Sequence, residues 1–287
     1  EPQQPESEGG MTMADNGARQ TRMIVPGDAE WPSGLEVMGA DQPDRLFIRG
    51  DASLAELTEH SVAVVGSRAS TAYGETVAID LSVDLVRGGY GVASVGGFGI
   101  AAAAHSAAVA QGAPTVAVVV AGLDRLHPRA NRPLYDKIVR EGLLVSLSAD
   151  GALPHRRDLL ASQGLLAALT QATVVVEAAA RSGALHVAVQ ARSFGRPVMA
   201  IPGPVTSAAS SGTNRLIASG QADLVTSAEE VRARLTVGEV PGVETVVLRP
   251  GAGPAVGAWE RVVAPSRPGS VEPDPHTRQV RHDIPLF

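Results

Sequence analysis

Between residues 61 and 226, short apolar runs alternate with longer Ala-rich stretches of helical period, and this alternation constrains the fold more than any other feature. The apolar runs lie at 61–65, 90–93, 115–120, 143–146, 173–177 and 197–201, with a weaker one at 222–226. Candidate helices fall between and after them, at about 74–88, 100–111, 131–141, 157–171, 183–194, 211–219 and 227–235. The runs do not alternate apolar with polar. Val62-Ala63-Val64-Val65 is apolar throughout, as expected of a strand covered on both faces. Repeated strand–helix–strand units of this kind predict an α/β fold, a doubly wound and mostly parallel Rossmann-like sheet. Ligands of such sheets bind beyond the carboxyl ends of the strands, so the loops there are the candidate site.

The alternation does not extend over the whole chain. Residues 1–30 are rich in Glu, Gln, Gly and Pro and lack the apolar run of a secretory signal; Met11 or Met13 reads as a start. Residues 238–287 hold 8 of the 20 prolines, and only 243–248 reads as a short strand. The expectation is therefore a disordered extension over 1–30, one domain over 31–237, and a mostly disordered tail over 238–287. No run of 18 apolar residues occurs; the nearest, 101–122, is broken by His105, Ser106, Gln111 and Pro114.

Composition then removes whole classes of chemistry. Without Cys there are no disulfides, Cys-ligated zinc, iron–sulfur clusters or thiol nucleophiles, and the absence suits a reducing, cytoplasmic setting. Lys137 is the single lysine and sits in Asp136-Lys137-Ile138, so there is no Gly-Lys-Ser/Thr phosphate loop. The seven His show no metal-ligand spacing, and neither a Gly-x-Ser-x-Gly elbow nor a His-Glu-x-x-His pair is present. No cofactor and no metal are expected. Net charge is −6, so any nucleic-acid surface must be a local basic patch. With nine aromatics in all, stacking of bases on several rings is not expected.

The strand-end loops carry the candidate site. Gly66-Ser67-Arg68 follows the first run and precedes a helix, an arrangement that suits an anion: small residues, amide donors and a forked cation. The plain alternative is a tight turn with a solvated Arg. Ser94, Gly97 and Gly99 follow the second run, where Gly97-x-Gly99-x-x-Ala102 is a loose dinucleotide fingerprint; the plain reading is Gly needed for close helix–strand packing. Arg125, Arg129 and Arg132 fall with His127 within eight residues after the third run, the densest basic segment of the core. Arg156 and Arg157 follow His155 as a second basic cluster. Ser182 and Gly183 open another helix, just after Glu177 at a strand end.

In order, these segments resemble the DprA/Smf (DNA-processing protein A) family. The resemblance begins at Trp31-Pro32 and Leu46-Phe47-Ile48-Arg49-Gly50 and continues through Gly66-Ser67-Arg68 and Gly122-Leu123-Asp124. It is closest over Val174-Val175-Val176-Glu177-Ala178, Arg181-Ser182-Gly183, Gly195-Arg196-Pro197-Val198 and Ser211-Gly212-Thr213-Asn214-Arg215. It implies an extended Rossmann fold that binds single-stranded DNA, forms a homodimer and helps load RecA recombinase during recombination or natural transformation. It implies no catalysed reaction. It assigns Gly66, Ser67 and Arg68, with Ser94 and Gly99, to a pocket for the DNA backbone.

Some positions depart from the family pattern. Phe98 and Ala101 stand where the family's second loop carries a polar residue and an Asp, and Ser162-Gln163-Gly164 stand where it carries Arg-Asn-Arg. No helical domain in front and no winged helix behind is recognisable in the chain. Two alternatives stay open: a LOG-like phosphoribohydrolase using the 96–99 loop for phosphate and Glu177 as acid/base, and a scaffold of the same fold that has lost DNA binding.

Overall fold

The computed structural model describes residues 20–236 and two further strands, β10 (Val246–Pro250) and β11 (Trp259–Val263), which pair antiparallel in a unit of their own. The strand expected at 243–248 overlaps β10; its first three residues lie outside the described ones.

All seven apolar runs of the main unit are strands of one sheet: β3 (Ser61–Gly66), β4 (Gly91–Val95), β5 (Thr115–Val119), β6 (Leu143–Ser146), β7 (Ala172–Glu177), β8 (Val198–Ala200) and β9 (Asp223–Leu224). Two strands were not anticipated, β1 (Arg22–Ile24) and β2 (Leu46–Arg49). The sheet order is β1-β2-β6-β5-β4-β3-β7-β8-β9. From β6 to β9 every pairing is parallel, whereas β2 joins β6 and β1 joins β2 antiparallel. β1 corrects the expected boundary at residue 31: Arg22–Ile24 pairs with Leu46–Ile48, so this part of the extension belongs to the sheet.

The continuous apolar strands pack as expected. In β3, Val62 and Val64 enter a core with α2 (Ala72–Arg87), α3 (Ile100–Ala110) and α8 (Ala228–Thr236). Ala63 and Val65 enter the opposite core, with α1 (Leu54–Glu59), α5 (Arg156–Leu169), α6 (Ala184–Ser193) and α7 (Ser211–Ala218). A third cluster joins α4 (Arg132–Glu141) to Ala117, Val119 and Leu144. Each fully buried Val stabilises by roughly 1.5–3 kcal/mol, which is why both faces of these strands are apolar. Among the described residues no helix is long and apolar enough to cross a membrane.

His105, on α3, is part of this core rather than of a site. It is 1% exposed, and its Nδ1 lies 2.8 Å from Thr115 Oγ1. The Thr115 hydroxyl donates to Val92 O at 2.6 Å, so the proton between the two side chains belongs to Nδ1. Burial pushes the pKa of His105 down to about 4. The folded protein then holds a neutral imidazole, while the unfolded chain takes up a proton below about pH 6.5. His105's contribution to stability is therefore full above pH 6.5 and falls as the pH drops toward 4, by about 3 kcal/mol. Urea unfolding at pH 7 and pH 4.5 checks this: His105→Gln is expected to lose clearly less stability between the two pH values than the parent. Equal losses would show that another group sets the acid limb.

Candidate functional site

The sheet reverses its winding between β3 and β7. The loops leaving these two strands and β4 meet at one point, and Ser67 ties them together. Its N–H donates to Glu177 O at 2.6 Å, and its carbonyl accepts from Ile100 N, the first residue of α3, at 3.1 Å. Gly99 makes that approach feasible. Its φ is +67°, and a Cβ there would lie 2.2 Å from Ser67 O and 2.7 Å from Arg68 O.

Glu177 fastens the start of α2. It is 1% exposed, and Thr71 donates to both of its carboxylate oxygens, from N–H at 2.8 Å and from Oγ1 at 2.6 Å. Thr71 Oγ1 in turn accepts from Gly74 N at 3.2 Å as the helix cap. A carboxylate buried and engaged in this way braces two loops. It is not an available acid/base, which removes the role the phosphoribohydrolase reading needs.

Two adjoining cavities open along the carboxyl edge, of about 510 and 470 Å³. Both are lined by Arg68, Phe98 and Leu159, so they meet at these side chains. The first extends past Arg125, His127 and His155, and the second past Ser67, Gln163, Arg181 and Gly183. No Asp or Glu among the described residues lines either one. Arg68 and Arg181 are exposed and have no ion-pair partner among the described residues. Arg125 lies 3.6 Å from Asp124, whose other oxygen accepts from Gly151 N at 2.8 Å. Buried Tyr135 holds the basic loop over α4: burial pushes its pKa up to about 12, and its neutral hydroxyl donates to His127 O at 2.8 Å. Asn131 Nδ2 donates to Gly97 O at 2.7 Å and pins the same loop to the β4–α3 turn.

The structure therefore brings together Gly66, Ser67, Arg68, Gly97, Arg125, Ser182 and Gly183 of the expected residues. It does not bring Ser94, Gly99, Arg129, Arg132 or Arg157 to the cavity walls. Ser94 is buried and donates to Val64 O at 2.6 Å, inside the sheet. Gly99 shapes the backbone and lines neither cavity. Arg129 is exposed at the rim of the loop. Arg132 pairs with Asp136 at 3.5 Å and Arg157 with Asp158 at 3.4 Å, both pointing to solvent. Arg156 opens α5. The Ser67 hydroxyl donates to Ala69 O at 3.0 Å, so its proton is already engaged. Sequence reasoning missed Arg181, although it named both of the next two residues; an Arg directly before a Ser-Gly helix entry was the available signal. At the departed positions, Ser162 and Gln163 are buried on α5, and Gln163 Nε2 donates to Gly183 O at 3.1 Å. Nothing cationic replaces the family's Arg-Asn-Arg from those positions.

A family model described as DNA recombination-mediator protein A matches residues 22–236. Over 263 residues the chain is 40% identical to the DNA processing protein DprA of Mycobacterium tuberculosis, covering 88% of this chain and 67% of that protein. It is 38% identical to the DprA of Streptococcus pneumoniae over 197 residues, 67% of each chain. The solved structure of the Streptococcus pneumoniae protein superposes with a TM-score of 0.69 at 34% identity, over 76% of this chain and 75% of that one. A structure of DNA processing protein A from Helicobacter pylori, described for its single-stranded DNA binding mode, shares the fold, with a TM-score of 0.67 at 24% identity over 77% of this chain and 97% of that one.

Proposed function

Because the chain belongs to the DNA recombination-mediator protein A family, we propose that it binds single-stranded DNA by the sugar–phosphate backbone along the carboxyl edge of its sheet, as a mediator and not as an enzyme. One observation carries the reading: in a protein of net charge −6, the residues lining two adjoining cavities include Arg68, Arg125 and Arg181 and no carboxylate. Such a local basic patch attracts a polyanion despite the net negative charge of the chain. Phosphate contacts position a strand without reading its sequence, in keeping with forked donors and small-residue loops at this edge.

The mediator role, with a RecA-type recombinase as the recipient of the strand, a homodimer as the working form and the cytoplasm as the setting, follows the family resemblance. Recombination and natural transformation are the processes it fits.

Fluorescence anisotropy of labelled oligo-dT over a salt series tests the binding. Three to five neutralised phosphates at about −0.7 each give an expected slope of about −2 to −4 in log K against log salt. Absence of binding at low salt would leave the scaffold reading, in which the departures at Phe98, Ala101 and Ser162-Gln163-Gly164 have disabled the cleft.

A further inference from the structure

Phe98 is 47% exposed and belongs to none of the three apolar cores among the described residues. A single exposed side chain of this kind is ordinary on a protein surface; what sets this one apart is where it stands. It lines both cavities of the cleft together with Arg68, so open volume adjoins it in each. The backbone beneath it is held on both sides. Gly97 O accepts from Asn131 Nδ2 at 2.7 Å, and three residues later Ile100 N donates to Ser67 O at 3.1 Å. An exposed ring on a fastened backbone, beside an unpaired guanidinium and in a cleft without carboxylates, matches one ligand: a nucleotide with its base free.

We propose that Phe98 is a stacking platform for an unpaired base of the bound strand, with Arg68 taking an adjacent phosphate. This deepens the single-stranded DNA reading and rests on it. Stacking on one ring accepts any base, because each has a π-face, and it requires the base to be out of a duplex.

The test uses the full chain and an oligo-dT carrying one 2-aminopurine, whose fluorescence is quenched by stacking. The parent is expected to quench the probe on binding. Phe98→Leu should abolish the quenching and weaken binding about 5- to 20-fold. It should leave the salt slope unchanged, because the phosphate contacts remain. The melting temperature should also hold, because the ring is outside the cores, and Phe98→Tyr should restore both quenching and affinity. A Phe98→Leu protein that binds and quenches like the parent overturns the proposal. So does a parent that binds with the expected salt slope but never quenches, and in that case the DNA-binding reading survives. A parent that binds no oligo-dT at low salt removes both.

Discussion

Replacing Arg68 by Glu is expected to weaken oligo-dT binding by about 100-fold or more while leaving the fold intact. Loss of a hydrogen bond to a charged group costs about 1.5–3 kcal/mol, or roughly 10- to 150-fold, and the new carboxylate adds repulsion in a cleft that has none. The fold should not respond, since Arg68 is exposed and has no ion-pair partner among the described residues to release. Arg68→Lys should fall between the two, keeping the charge but losing the planar fork. Arg87→Glu is the reference. It reverses a charge at the end of α2, where Arg87 pairs with Asp84 at 3.7 Å, and it is expected to change affinity less than 3-fold. Anisotropy at one fixed salt concentration measures all four proteins. An Arg68→Glu protein within 3-fold of the parent removes Arg68 from the interface.

Gly99→Ala is expected to be the most damaging single methyl group in the cleft. At φ +67° the backbone lies where L-residues are strained, at a cost of about 1–3 kcal/mol. The added Cβ would also lie 2.2 Å from Ser67 O and 2.7 Å from Arg68 O, both backbone atoms that cannot rotate away. Together these should cost about 3 kcal/mol or more, a fall of roughly 6–12 °C in melting temperature for a domain of this size. The relief available is to push Ser67 and Arg68 outward, so DNA affinity should fall as well. Gly97→Ala, two residues earlier, meets nothing closer than 3.9 Å and should melt within about 2 °C of the parent. Thermal melts of the two variants decide the matter: if they melt together, the contact between Gly99 and the Ser67 carbonyl does not constrain the loop.

The parallel strands were legible because burial on both faces leaves an unmistakable run, as in Val62-Ala63-Val64-Val65. β1 and β2 were not. They are three and four residues long and join the sheet antiparallel at one edge, where β2 alternates buried Leu46 and Ile48 with half-buried Phe47 and Arg49. So short an alternation cannot be told from a loop. The loops that build the cleft were legible from their order along the chain, but the orientation of individual side chains was not. Ser94 and Ser67 both sit at strand ends in small-residue settings, yet one hydroxyl points into the sheet and the other into a turn. Arg125 and Arg132 are seven residues apart in one basic segment, yet only the first reaches a cavity wall, because Arg132 has entered α4 and pairs with Asp136. Glu177 was offered as an acid/base in one alternative, and the contacts of Thr71, 106 residues away in sequence, show that its carboxylate holds a loop instead. Phe98 read as the loss of a polar group; only the volume adjoining it makes it a surface.

The absence of carboxylates from the cleft lining has a consequence for how a strand arrives. With a net charge of −6 the molecule acts at a distance as an anion, while arginines and no described carboxylate line the cleft. The crossover falls within a Debye length, about 8 Å at physiological salt. Within that distance the local arginines outweigh the overall charge, so the patch, and not the long-range field, selects the direction of approach. Collisions are fewer, and a larger share of them place phosphate against Arg68.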